Sequence, residues 1–295
     1  MRFSHPQKTF HASRSWVVSS ALLMIALSCA KPSAAEETKT QSASESSAPA
    51  QADSRSSLTG SLSLISDYRF RGISQTWQGA AVQGAVELAL PKGFYVGTSL
   101  SNVSTNSYGR GQGLEHDIYG GWRGELVPDW LLDAGLLQYR YPGARLGASD
   151  GSSKRFDTTE LYLGATHGGL SLKWSVALTP YFGLGESTAD SAFATALRPA
   201  GSSRGSQYLD LNYQHPLGDL ATLGLHGGYT WVRNYSDVSY ADWRISLSRA
   251  WGPWTASLAY AGTSADARYY SAVNSRGQWR DLARSGWLLG LSAGF

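Results

Sequence analysis

The sequence predicts an all-β fold, a transmembrane antiparallel up-and-down β-barrel of about twelve strands. Three observations predict it. From Leu58 onward the chain resolves into segments of about ten residues with period-two alternation of apolar and polar side chains. The links between these segments alternate between short and long. The polar side of the alternation carries ionised groups that no dry core could hold unpaired.

The alternation is plain in several segments. "LSLKWSVALTPYF" sets Leu170, Leu172, Trp174, Val176, Leu178 and Phe182 against Ser171, Lys173, Ser175 and Thr179. "LEHDIYGGWRGEL" sets Leu114, Ile118, Trp122 and Leu126 against Glu115, Asp117, Tyr119, Arg123 and Glu125. In "ADWRISLSRAW", Trp243, Ile245, Leu247 and Trp251 oppose Asp242, Arg244, Ser246 and Ser248. Successive side chains of a strand point to opposite faces, so each set shares one face. The predicted strands are 58–69, 78–90, 94–103, 114–126, 130–140, 158–167, 170–182, 206–216, 221–232, 239–251, 254–263 and 285–295.

Short links fall at 91–93, 127–129, 168–169, 217–219 and 252–253. The long ones, at 70–77, 104–113, 141–157, 183–205, 233–238 and 264–284, are rich in Gly, Ser, Arg and Asn and have loop composition. Short turns at one end and long loops at the other are the asymmetry of outer-membrane barrels. Ten residues rising ~3.3 Å each and tilted by about 45° span roughly 23 Å, close to the apolar band of such barrels. A soluble sandwich or lipocalin-like barrel would also alternate, but it would bury its apolar side. Twelve strands closed into one barrel leave an interior too wide for leucine and tryptophan to fill.

The pore-lining candidates are therefore Asp67, Arg69, Arg71, Glu87, Glu115, Asp117, Arg123, Glu160, Lys173, Asp210, Asp242 and Arg244. The stretch "SDYRFRGISQT" continues the alternation of the first strand. It directs Asp67, Arg69 and Arg71 towards the lumen or its rim, and Tyr68 and Phe70 towards lipid. The three charges either pair with acids on neighbouring strands or narrow the pore and set its field. Phe94, Trp130, Trp251 and Trp254 beside short turns, with Tyr68 and Phe70 at the loop side, form two interfacial girdles; Phe182 and Trp231 join the loop-side girdle. The chain ends "SGWLLGLSAGF". Trp287, Leu289, Leu291 and Phe295 share one apolar face, and this terminal pattern resembles the assembly signal of outer-membrane barrels.

The first 35 residues have the form of an export signal: Arg2, Lys8 and Arg14, then the apolar "WVVSSALLMIALS", then "SAA" as a cleavage site. Cys29, the single cysteine, lies within it, so no disulfide framework follows; acylation at Cys29 is the alternative to cleavage after Ala35. Four of the 25 basic residues and none of the 22 acidic ones lie in this leader, so the remainder carries −1 rather than +3. A basic balance contributed by the leader is no argument for nucleic acid. Residues 36–57 are Ser, Ala, Glu, Gln and Thr without apolar period, a disordered linker before a barrel at 58–295.

"SDYRFRGISQTWQGAAVQGAVEL", "GFYVGTSLSNV" and "LEHDIYGGW" resemble the TorF family of porins, through an S-D-Y-x-F-R-G-x-S-Q start, a G-F-Y-V-G second hairpin and an E-x-D-x-Y-x-G strand. The resemblance covers the front of the barrel, residues 66 to 122, and implies an outer-membrane barrel with a pore. The function expected is passive diffusion of ions or small hydrophilic solutes through a mixed-charge lumen, without a cofactor or metal. The expected partners are outer-membrane lipid and lipopolysaccharide of a Gram-negative bacterium, the barrel-assembly machinery and the solutes themselves. The alternatives are a plugged structural barrel working through its loops and an outer-membrane lipid hydrolase or protease. The four histidines after the leader, His116, His167, His215 and His226, form no evident triad. Arginines of the long loops, from Arg110 to Arg284, would give the mouth a basic rim.

Overall fold

The computed structural model describes residues 56–107 and 111–295. The leader at 1–35 with Cys29, residues 36–55 of the linker, and Arg110 lie outside the described residues. Twelve antiparallel strands close into one barrel: β1 (Ser57–Ile65), β2 (Ala81–Ala89), β3 (Phe94–Asn102), β4 (Leu114–Val127), β5 (Trp130–Arg140), β6 (Thr158–His167), β7 (Leu170–Ala177), β8 (Gln207–Leu217), β9 (Ala221–Trp231), β10 (Tyr240–Trp251), β11 (Trp254–Thr263) and β12 (Gly286–Gly294). Each strand pairs with its sequence neighbours, and β1 pairs with both β2 and β12. The seam continues past β12: Gly60 and Phe295 exchange backbone hydrogen bonds of 2.9 and 3.0 Å. The Phe295 ring lies over Gly60, where any Cβ would collide with it.

Polarity is inverted relative to a soluble barrel. Leu62, Ile245 and Leu289 on the outer face are 57%, 52% and 61% exposed, whereas Glu115, Asp117 and Glu160 on the inner face are 0%, 1% and 3% exposed. Phe94, Trp130, Trp251 and Trp254 stand outside at the short-turn end, and Trp287, Leu289, Leu291 and Phe295 also stand outside. One tyrosine-rich cluster lines the lumen with Tyr95, Tyr119, Tyr139 and Tyr162, and two others belong to the loop end. Long loops fold over the mouth and pack there, with Tyr181, Leu184, Leu197, Val232, Tyr235 and Val238 in one cluster and Ile73, Tyr240, Ala272, Leu282 and Ala283 in another.

Three strand limits differ from expectation by three residues or more. β1 ends at Ile65, not 69, because the chain leaves the wall after the Ser66 N–H bonds the Leu289 carbonyl. β2 begins at Ala81, not 78, since Trp77 and Gln78 adopt left-handed backbone (φ 55° and 59°). β7 stops at Ala177, not 182, just before Pro180, which cannot donate to a ladder.

Candidate functional site: the loop-filled lumen

The first loop, L1 (66–80), holds a two-rung hairpin in which Arg69 pairs with Ser74 and Phe70 with Ile73. Its tip is Arg71–Gly72, both in left-handed backbone (φ 48° and 81°), as a tight two-residue turn requires. This hairpin folds into the lumen. Three of the residues expected in the loop-side girdle are found inside, two of them in this loop. Tyr68 is not in a lipid girdle: it is 5% exposed, and its hydroxyl donates to Glu115 Oε1 at 2.5 Å. Phe70 is inside too, edge-on to Tyr139 and Phe182. Phe182 is likewise internal, stacked on Phe156 and edge-on to Tyr141 and Tyr181. Strand alternation no longer applies once the chain has left the wall, so the aromatic side of L1 finds the tyrosine-lined lumen instead of lipid.

The charges of L1 are correspondingly sorted. Asp67 stays within the loop, accepting hydrogen bonds from Ser74 Oγ (2.6 Å), Thr76 Oγ1 (3.1 Å) and Arg69 Nε (2.9 Å). Arg69 also donates to the Arg284 carbonyl at 2.7 Å, tying L1 to the segment that precedes β12. Arg71 reaches the far wall. Its Nη2 donates to both Glu160 oxygens at 2.8 and 2.7 Å, and its guanidinium lies 4.2 Å from the Tyr208 ring centre and 4.7 Å from that of Phe70. Glu160 is on β6, five strands round the barrel from β1, so the partner is not the neighbouring strand that local pairing would supply. Arg71 and Glu160 are 5% and 3% exposed, which makes this a desolvated, charge-assisted pair braced by aromatic faces.

Gly72 fits this tip for two reasons. Its φ is unfavourable for other residues, and a Cβ there would meet Asp242 Cβ at 2.8 Å and Thr263 Cβ at 3.1 Å. Gly72→Val is therefore expected to lift the hairpin from its seat without touching a charge. Limited proteolysis of the folded barrel tests this: new cleavage within 66–80 is the expected result, and an unchanged digest would show that the tip has room to adjust.

Below L1, the wall charges divide into sectors. On β2–β5 stand Glu87, Glu115, Asp117 and Asp133 with one cation, Arg123, which contacts Glu87 (3.2 Å) and Asp133 (3.3 Å). Tyr95 bonds Asp133 at 2.5 Å and also meets the Tyr162 hydroxyl. On β7–β10 stand Lys173, Asp210, His226, Asp242 and Arg244. His226 bridges the two acids, Nδ1 to Asp210 at 3.1 Å and Nε2 to Asp242 at 2.8 Å. The inner face of β11, β12 and β1 holds no charge, only residues such as Ser257, Ala259, Ser292 and Ser63. Lys173 sits opposite Asp210 in register, 5.6 Å from the Tyr162 ring centre.

Among the loop arginines, Arg198, Arg204, Arg276 and Arg284 are exposed at the mouth, and others are engaged within the loops. Arg280 lies 3.8 Å from the Trp77 ring centre and donates to the Trp77 carbonyl. Arg268 pairs with Asp266 at 2.6 Å, and its hydrogen bonds hold that carboxyl below the ordinary range. Burial pushes the phenols of Tyr181 and Tyr270 above their ordinary range, so both remain neutral under the mouth. Of the histidines, His116 faces outward with Nε2 3.0 Å from Thr98 Oγ1. That hydroxyl donates to the Asp117 carbonyl at 2.8 Å, so its proton is spent on backbone and the pair is not set up as nucleophile and base.

Fold and lumen define a class: a closed antiparallel β-barrel, apolar outside and ionic inside, with its first loop inserted. The chain belongs to the Gcw_chp family, described as bacterial protein of unknown function, and the match spans residues 49–295. No curated protein matches it. Solved structures that resemble it include a KdgM porin (10% identity, 80% of this chain and 99% of that one, TM-score 0.46). A NanC porin matches with 10% identity over 80% of this chain and 99% of that one, TM-score 0.44. An outer membrane channel from Pseudomonas putida F1 matches with 10% identity over 84% and 99%, TM-score 0.39. Likenesses this loose say nothing of solute or mechanism.

Proposed function

We propose that the chain is an outer-membrane porin-like channel, a TorF-type barrel for passive passage of ions or small hydrophilic solutes, constricted from the loop side by L1. One observation carries the proposal, namely the side on which the carboxylates lie. Seven of them, from Glu87 to Asp242, point inward, while leucine, valine, isoleucine and tryptophan coat the outside. Ionised groups of this number are tolerable only where water or counter-charge reaches them. An outer coat of exposed leucine and tryptophan is matched by hydrocarbon with interfacial belts. The S-D-Y-x-F-R-G-x-S-Q motif that resembles TorF porins is the inserted hairpin itself, which makes L1 the natural constriction. On this reading the lipid and lipopolysaccharide contacts, the assembly machinery that reads the C-terminal face, and export by the N-terminal leader belong to the same life history.

The acid excess on β2–β5 faces the cation-bearing β7–β10 wall, so solutes in the lumen meet a transverse field. The test is planar-bilayer recording of the refolded chain. Discrete conductance steps are expected, small while L1 is seated. A barrel silent at every voltage, both as the native chain and with L1 unseated by Arg71→Ala, overturns the channel.

A further inference from the structure

The inward cations do not share one fate. Arg71 is neutralised by Glu160, Arg123 by Glu87 and Asp133, and His226 lies between Asp210 and Asp242. Arg244, on β10 next to His226 in register, has neither an ion pair nor a hydrogen bond among the described residues. Its Nε is sealed from solvent without a partner, while the half-buried side chain keeps its terminal nitrogens towards the lumen. A guanidinium presents five donors in a planar fork and cannot shed its charge. The nearest acids are already committed: Asp242 to His226 and Tyr208, Asp210 to His226 and Asn212.

We propose that Arg244 is an anion-binding subsite of the lumen, receiving the carboxylate of a small monoanionic solute. The reading rests on the membrane-barrel function above for its watery lumen, but not on conduction. Carboxylate matches the fork geometry by two parallel hydrogen bonds. Charge decides between a monoanion and a dianion. Lys173, His226 and Arg244 face Asp210 and Asp242, leaving at most one positive charge for the ligand in either state of the imidazole, so a dianionic phosphate would be repelled by the two flanking aspartates.

Arginine-directed modification of the full chain in detergent, mapped by peptide mass spectrometry, tests the subsite. With phenylglyoxal, Arg244 is expected to react while the ion-paired Arg71 and Arg123 are spared. Lactate is expected to slow the Arg244 reaction by about threefold or more relative to the isosteric neutral lactamide, and relative to chloride at equal ionic strength. Equal rates in lactate and lactamide, equal protection by chloride, or an unreactive Arg244 each overturn the subsite. A barrel that conducts with Arg244 unprotected rejects the subsite alone. A silent barrel with Arg244 protected rejects the channel and keeps the subsite.

Discussion

Replacing Arg71 by alanine releases the first loop from the lumen and raises the conductance of the reconstituted barrel. The pair it breaks is buried on both sides, and Glu160 would be left 3% exposed with its strongest partner gone. Removing one member of a buried ion pair costs about 3–5 kcal/mol, because the survivor remains desolvated and charged. Here the strain has an exit, since the hairpin can leave and water can reach Glu160. Arg71→Ala is thus expected to open the constriction rather than unfold the wall, whose ladders it does not touch. Adding Glu160→Gln removes the stranded charge, so the double variant should recover part of the lost seating, with a coupling of about 0.5–3 kcal/mol in a double-mutant cycle. Conductance and proteolysis of L1 are the paired readouts. If both stay at native values in Arg71→Ala, then Tyr68 on Glu115 and the Gly72 seat suffice to hold the loop, and the cross-lumen pair is not the latch.

Two adjacent residues on β11 give the second large effect. Leu258 points outward, 42% exposed, in a row with Leu247 and Leu289 on the flanking strands, while Ser257 points into the neutral sector of the lumen. Leu258→Arg should cost about 2–4 kcal/mol of folding free energy in a bilayer, the cost of a guanidinium in the hydrocarbon midplane of a barrel. Ser257→Arg, one residue away, turns the same group into the polar lumen and should cost less than about 1 kcal/mol. Urea titrations of folding into liposomes measure both. The reverse ranking, with Ser257→Arg ruinous and Leu258→Arg harmless, would mean a soluble barrel with a packed centre and would sink the membrane assignment.

Much of this architecture is written in the period of the side chains. Glu115, Asp117 and Arg123 alternate with Ile118 and Trp122 over an unbroken strand, so facing alone places them inside. The alternating C-terminal run from Trp287 to Phe295 is similarly legible. L1 was hidden by the same rule. Asp67, Tyr68, Arg69 and Phe70 alternate as a strand does, and nothing in the pattern marks the point where the chain leaves the wall. The available signal was the Arg71–Gly72 dipeptide between alternating residues, the sequence form of a two-residue hairpin turn. The partnership of Arg71 with Glu160 joins positions 89 residues apart in sequence and needs the closed barrel to exist. His226 meets its two aspartates only in the closed sheet for the same reason: Asp210 and Asp242 come from different strands.

The strand that carries the inserted hairpin is also the one that zips against the last strand, through Gly60 and Phe295. L1 draws its anchors from β4, β6, β10 and the segment just before β12, which spread round most of the circumference. A nascent sheet lacking its final strand offers only part of that socket. Biogenesis therefore has a built-in order, in which the cylinder must be sewn shut before its stopper finds a home, and a half-made barrel stays unplugged.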